Sequence, residues 1–263
     1  MPGLSREMDK SADVKKPSSD ASRQQPAVPG RARPQFFMTP RDIGLFLMSA
    51  RTDAAIARLR ATNGVRAAFE AVYSQWNDPW ASASPRYRYQ RRKYEQVVDM
   101  LSGRHFRRAL DLGCGLGLLA QLLAPQVDEL LGLDIAEAAI ERARQRAAAF
   151  SNLRFEQADL LDLPRTLDHR FDLVLLADTL YYLSPLDDET LKGIALRIAD
   201  VLVPGGLCVL VNHYFFVADS ASRRSRRIHR AFAQSPRFRL DCERRKSFFL
   251  VTLLTEQADM GWR

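Results

Sequence analysis

Cysteine occurs only three times, at positions 114, 208 and 242, and no two of these form a Cys-x-x-Cys pair. That excludes a disulfide framework and a cysteine-based zinc or redox motif, and it implies reduced thiols. The four histidines, at 105, 169, 213 and 229, share no ligand spacing with one another or with a cysteine, so no metal site is expected. No run of about 18 apolar residues occurs, which argues against a membrane span, and the opening MPGLSREMDK lacks the apolar stretch of a secretory signal. The expected setting is cytoplasmic, without membrane association. Internal repeats are not apparent, and nothing in the sequence speaks to oligomeric state.

What the chain does have is an ordinary globular composition, 46% hydrophobic and 27% charged, enough for one domain with a sizeable core and some chain left over. Its formal charge of +8 is unevenly spread. Residues 109–205 hold 8 Lys+Arg against 16 Asp+Glu, so of the 39 basic and 31 acidic residues the remainder leaves +16 outside that segment. Those basic residues are either a tail and solvated helix faces, or a rim that attracts a phosphorylated, carboxylated or nucleic-acid substrate.

Residues 1–35, rich in Ser, Pro, Gln, Lys, Arg and Asp, have too little to bury to recover the entropy of ordering, and are expected to be a disordered basic tail. Residues 36–84 read as an extension. Thr39-Pro40-Arg41-Asp42 is a helix start, with Ile43, Leu45, Phe46 and Leu47 to bury, and an aromatic loop with Asn77-Asp78-Pro79-Trp80 follows. Ser84-Pro85 predicts the start of an amphipathic helix of roughly 16 residues. Tyr94, Val98 and Leu101 share one face of it, and Arg86, Arg88, Arg91, Arg92 and Lys93 crowd its first half.

From residue 107 short apolar runs alternate with helical stretches. Strands are expected near 108–112, 129–133, 153–157, 172–177 and 206–212, and helices near 116–124, 136–149 and 188–202. That order defines an α/β fold with a doubly wound, mostly parallel, Rossmann-like sheet. A helix near 220–233 then leads into RFRLDCERR and SFFLVTLLT, which read as an antiparallel strand pair closing one edge. Residues 85–263 make up this domain.

Its first strand runs into ALDLGCGLGLLA, residues 109–120, which satisfies two templates. Gly113, Gly115 and Gly117 give Gly-x-Gly-x-Gly, while Gly115, Gly117 and Ala120 complete the dinucleotide pattern. Asp134, 19 residues beyond Gly115, can accept hydrogen bonds from ribose hydroxyls in either case. Asp111 discriminates. A carboxylate two residues before the first glycine opposes a pyrophosphate but suits a ligand carrying a sulfonium and an ammonium.

Glu156-Gln157-Ala158-Asp159-Leu160 after the third strand, FDLVLLADTLYYL around the fourth and LVPGG before the fifth follow in order. Together with the glycine loop these pieces resemble the class I S-adenosylmethionine-dependent methyltransferases, over roughly residues 85–255. The resemblance implies a seven-stranded sheet and S-adenosylmethionine as cofactor. Asp78-Pro79-Trp80, Tyr89-Gln90-Arg91-Arg92-Lys93-Tyr94 and Leu180-Tyr181-Tyr182-Leu183 look more narrowly like the nodulation protein S (NodS) group, which N-methylates an amino sugar of a chitooligosaccharide.

On that footing Gly113, Cys114, Gly115 and Gly117 form the turn against the methionine end, with Asp111 reaching the ammonium directly or through water. Cys114 offers backbone rather than a nucleophile, since no nearby histidine or lysine activates it. Asp134 takes the ribose with Ile135 beside it, although Asp134 could instead cap the following helix. Asp159, with Asp162 as competitor, takes the adenine amino group, and Leu160 and Ala177 complete the surface. Trp80 and Tyr89 wall the pocket, and Arg92 is preferred to Lys93 for the methionine carboxylate because guanidinium pairs with it bidentately. Asp178, Tyr181, Tyr182 and His213, at the carboxyl ends of strands four and five, are the candidates for base and substrate wall. The expected reaction is methyl transfer to nitrogen or oxygen of a small molecule, an amino sugar or glycoconjugate being one candidate. The alternatives are an RNA methyltransferase, suggested by SRRSRRIHR at 222–230, and a cofactor-binding regulatory protein without catalysis.

Overall fold

The computed structural model describes residues 40–183, 186–214, 219–246 and 248–258. The tail expected at 1–35 lies outside the described residues. Helix α1 (Pro40–Gln75) begins where Thr39-Pro40 placed it and is interrupted at Gly64, whose φ of 81° and ψ of 171° divide it into two helical segments. Helix α2 (Arg88–Met100) starts three residues later than Ser84-Pro85 predicted. The difference is local: Tyr87 N donates to Ser84 O, so 84–87 closes a turn before the helix begins.

Seven strands follow: β1 (Phe106–Leu112), β2 (Val127–Asp134), β3 (Leu153–Gln157), β4 (Phe171–Ala177), β5 (Leu202–Tyr214), β6 (Phe238–Lys246) and β7 (Phe248–Glu256). They form one sheet in the order β3-β2-β1-β4-β5-β7-β6. The first five are parallel, and β7 runs antiparallel between β5 and β6, the hairpin ending that the two C-terminal runs predicted. β5 extends back through Val203-Pro204-Gly205-Gly206, which the sequence suggested would precede it.

The intervening helices are α3 (Leu118–Leu123), α4 (Glu137–Arg146), α5 (Thr179–Leu183), α6 (Asp188–Val201) and α7 (Ser220–Ala233). α5 falls between the strand expected at 172–177 and the helix expected at 188–202, where no element was predicted. Alternation along the strands decides the layers. Ala109, Leu173, Leu175 and Val209 face α2, α3 and α4, where Val97, Leu101, Leu119 and Ile140 are buried. Leu110, Val174, Leu176 and Cys208 face α6 and α7, where Ile194, Ile198, Ile228 and Phe232 are buried. Asp187 and Asp219 cap α6 and α7 by accepting from Thr190 N and Ser222 N at 2.7 and 2.8 Å. Among the described residues no helix is long and apolar enough to cross a membrane.

The order reverses between β1 and β4, whose successors in the chain cross to opposite sides. At such a switch point the loops after adjacent strands separate and leave a crevice at the carboxyl ends.

Candidate active site

A cavity of about 260 Å³ occupies that crevice, large enough for a ligand rather than a few waters. The strands supply its floor: Gly113, Cys114 and Gly115 after β1, Asp134 and Ile135 at the end of β2, Asp159 and Leu160 after β3, Ala177 and Asp178 after β4, and His213 near the end of β5. Helices α1 and α2 and the loop between them supply its roof, with Asp53, Phe69, Trp80, Tyr89 and Lys93 among the contributors.

The glycine loop is shaped by its surroundings. Gly113 has φ of 74°, and a Cβ there would overlap the Thr179 side chain, which itself donates to Leu112 O at 2.6 Å. Gly113 N and Cys114 N both donate to Leu133 O, tying the loop to β2. Gly117, by contrast, is not a lining residue. Its φ of 70° places it against Phe155 and Ala143, so its role is helix packing.

Asp134 holds the loop from the other side. Its Oδ2 accepts from Gly115 N at 2.9 Å and its Oδ1 from Ala136 N at 3.0 Å. Burial raises its pKa while those backbone bonds, Ala136 first, oppose the rise. It is not the cap of α4, because Ala136 occupies that position without a side-chain bond. Asp111 stands behind the loop, 2% exposed and not itself lining the cavity, and its Oδ2 has no hydrogen-bond partner. Burial and then the charge of Asp134 push its pKa up to about 7. Cys114 lines the cavity, but burial, followed by Asp134 and Asp111, raises its thiol well above the ordinary value, which disfavours a thiolate nucleophile. Asp159 lines the cavity and accepts from Leu161 N at 2.9 Å; the competing Asp162 is exposed and outside it.

Arg92 is not among the lining residues, whereas Lys93, one position on, is buried at 1% and faces inward. Helical rotation of 100° per residue decides between them: Lys93 shares the inward face with Tyr89 and Val97. Its ammonium lies 5.5 Å from the ring centres of both Tyr89 and Tyr94 and pairs with Asp178 Oδ2.

Asp178 links three elements. It has φ of 58°, and its backbone N donates to Val211 O at 2.7 Å. Its Oδ1 accepts from His213 N at 3.0 Å and lies 3.7 Å from His213 Nδ1. Burial would raise its pKa, but Lys93 and then His213 overcome this and hold the carboxyl well below the usual carboxylate range. Tyr181 stands edge-on to His213 with centroids 3.9 Å apart, and Arg224 on α7 lies 4.6 Å over the Tyr181 ring.

Asp53 was not legible as a site residue. Its Oδ1 accepts from Trp80 Nε1 and from Tyr182 Oη, each at 2.8 Å. The faint signal was the helical stripe Phe46, Ser49, Ala50, Asp53, all of which line the cavity.

A glycine turn and a carboxylate at the end of β2 in a mostly parallel sheet with an antiparallel tail define a nucleoside-binding α/β enzyme class. Within it, the methyltransferase domain family matches residues 107–245, and the chain belongs to that family, in the class that uses S-adenosylmethionine as methyl donor. The chain is 34% identical over 109 residues to a ubiquinone biosynthesis O-methyltransferase of Alkalilimnicola ehrlichii, covering 41% of this chain and 44% of that protein. It is likewise 34% identical over 109 residues to nodulation protein S of Bradyrhizobium diazoefficiens, covering 41% and 50%. The chain thus spans about half the length of the curated relatives it matches. Among solved structures it resembles the N-methyltransferase NodS of Bradyrhizobium japonicum WM9 in complex with S-adenosyl-L-homocysteine. The TM-score is 0.62 at 22% identity, covering 73% of this chain and 98% of that one.

Proposed function

We propose that the protein transfers a methyl group from S-adenosylmethionine to nitrogen or oxygen of a small molecule, with an amino sugar or glycoconjugate as the leading acceptor class. The observation that carries this reading is the continuity of the cavity, which runs from Asp134 and Asp159 past the glycine turn to Asp178, Tyr181, Tyr182 and His213. The names of the relatives support both acceptor atoms, one being an O-methyltransferase and the solved neighbour an N-methyltransferase.

The donor set fits the cofactor. Asp134 keeps acceptor capacity beyond its two backbone bonds, as ribose hydroxyls need. Asp159, beside Leu160, can accept from an adenine amino group. The unpartnered Oδ2 of Asp111 suits an ammonium or a bridging water behind the turn. Lys93 sits where a carboxylate of the cofactor or acceptor would be met, in place of Arg92. When bound, S-adenosylmethionine supplies an electrophilic methyl group on a sulfonium.

The protein's own part is alignment and proton handling. Asp178, kept ionised by Lys93, anchors the His213 backbone N–H and lies beside its ring, which makes His213 the candidate to take a proton from an acceptor N–H or O–H. Tyr181 buttresses the imidazole edge-on, and Tyr182 walls the space beyond it.

The test has two arms. S-adenosylhomocysteine should raise the melting temperature while NAD and NADP leave it unchanged; stabilisation by the dinucleotides instead would overturn the cofactor reading. Methyl transfer from labelled cofactor should then appear with amino sugars, glycans or phenols. Transfer confined to RNA, with affinity falling steeply as salt rises, would overturn the small-molecule reading.

A further inference from the structure

The charge of the cavity is opposite to that of the protein. The chain carries +8, yet the acidic and basic side chains lining the cavity are four aspartates, Asp53, Asp134, Asp159 and Asp178, against one lysine, Lys93, and one histidine, His213. Three of the four have work to do. Lys93 neutralises Asp178, and Asp134 and Asp159 are committed to the nucleoside under the reading above, on which this inference rests. Asp53 is the remaining charge. Among the described residues it has no ion-pair partner; its recorded partners are the neutral donors Trp80 Nε1 and Tyr182 Oη, both on Oδ1.

Beside it the aromatic side chains pack on one another to make one wall of a box. Trp80 and Tyr182 have centroids 5.6 Å apart, Phe69 and Tyr182 meet edge-on at 5.6 Å, and Phe69 and Trp80 stand 6.2 Å apart. Trp80 and Tyr182 turn their polar edges to the carboxylate, which supplies the full charge that recognises a cation while the rings supply apolar walls beside it. Trp80 and Tyr182 fix the carboxylate through Oδ1, which keeps its orientation while leaving Oδ2 to be engaged.

Position gives the box its meaning. His213 packs on Tyr181, Tyr181 packs on Tyr182 with centroids 5.3 Å apart, and Tyr182 donates to Asp53. Asp53 and His213 therefore lie at opposite ends of the Tyr181–Tyr182 pair. An acceptor reaching along that pair would meet Asp53 with one group and His213 with another.

We propose that Asp53, with Phe69, Trp80 and Tyr182, forms an acceptor subsite for an organic ammonium that is separate from the atom methylated. The acceptor is then bifunctional, anchored by its cation under α1 while a second nitrogen or oxygen faces His213. α1 lies outside residues 107–245, the segment matched by the methyltransferase domain family.

The experiment is isothermal calorimetry at pH 7 on the full chain saturated with S-adenosylhomocysteine. The probes are two pairs, each an amine and its neutral counterpart: tyramine with tyrosol, and glucosamine with N-acetylglucosamine. The wild-type protein should prefer the amine in at least one pair by about tenfold or more, the scale of a hydrogen bond to a charged group. Asp53→Asn keeps a carbonyl oxygen to accept from Trp80 and Tyr182, so the box is retained while its charge is removed. In that variant the preference should vanish, with the melting-temperature rise from S-adenosylhomocysteine the same as in wild type. Wild type binding neither amine better than its neutral counterpart, or a preference that survives in Asp53→Asn, overturns the proposal. Absence of any stabilisation by S-adenosylhomocysteine would instead defeat the methyltransferase reading itself.

Discussion

Lys93 and Asp178 form an ion pair at the wall of the cavity, the lysine side chain 1% exposed and the aspartate 16%. Two ions withdrawn from water in this way are costly to separate, since removing one leaves the other buried and unpaired. Lys93→Met should therefore destabilise the fold by about 3–5 kcal/mol, read as a lowered denaturant midpoint. The double variant Lys93→Met/Asp178→Leu should recover much of that loss. If the pair also serves proton transfer, methyl transfer stays low in the double variant despite restored stability; recovery of activity together with stability would exclude the catalytic role of Asp178.

The pair also contributes to acid sensitivity. Because the folded pKa of Asp178 lies below the ordinary value, its contribution is present above about pH 4 and is lost as the pH falls through the folded value. Urea melts in this range should show a smaller pH slope for Asp178→Asn than for wild type.

Asp111 has the opposite sign. Its folded pKa of about 7 exceeds the unfolded value, so the folded state holds the proton more tightly, and the stability this gives is complete below about pH 4 and lost as the pH rises through 7. Asp111→Asn should therefore raise the melting temperature most at pH 8, less at pH 5, and leave it nearly unchanged below about pH 4. Under the proposed role toward the ammonium, the same substitution should weaken S-adenosylhomocysteine by about tenfold. A variant neither more stable at pH 8 nor weaker in binding would refute the assignment.

His229 offers a third pH handle, away from the cavity. It is 1% exposed, with Nδ1 2.6 Å from Thr252 Oγ1 and Nε2 3.0 Å from Asn212 Oδ1. Asn212 Oδ1 can only accept, so Nε2 carries the proton and Nδ1 accepts from the threonine. Burial lowers its pKa to about 3. The unfolded chain consequently binds more protons between about pH 6.5 and 3, and stability falls with the pH across that window, by about 1.4 kcal/mol per pH unit at its steepest. His229→Gln should flatten this slope even though it lowers stability at pH 7.

Gly113→Ala is a sharp test of the loop. The added methyl meets Thr179 in a conformation that disfavours side chains, so both stability and S-adenosylhomocysteine binding should fall. Pairing it with Thr179→Ser, which removes a methyl but keeps the hydroxyl donor to Leu112 O, should restore part of the binding.

The sheet was legible because its central strands β4, β5 and β7 are largely apolar runs and its helices carry the 3.6-residue period, signals that need only the local sequence. Asp134 and Asp159 were legible for a related reason: their places at strand ends follow from chain order alone. Arg92 and Lys93 could not be separated in the same way. Guanidinium chemistry favoured Arg92, but a rotation of one residue on α2 gave the inward position to Lys93. Asp53 escaped for want of any local mark, since its partners Trp80 and Tyr182 lie 27 and 129 residues away. Sequence reveals a site when the backbone that builds it is contiguous, and conceals it when distant segments converge.

The break at Gly64 lets two segments of one stretch of chain line the cavity, Phe46, Ser49 and Asp53 before it and Phe69 and Tyr73 after it. None of these five side chains belongs to a strand, so the sheet and its glycine turn can be inherited unchanged while this roof is rewritten. Under the proposed function, exchanging residues 40–80 between relatives would ask whether the acceptor can be changed while the strands that carry the glycine turn are kept.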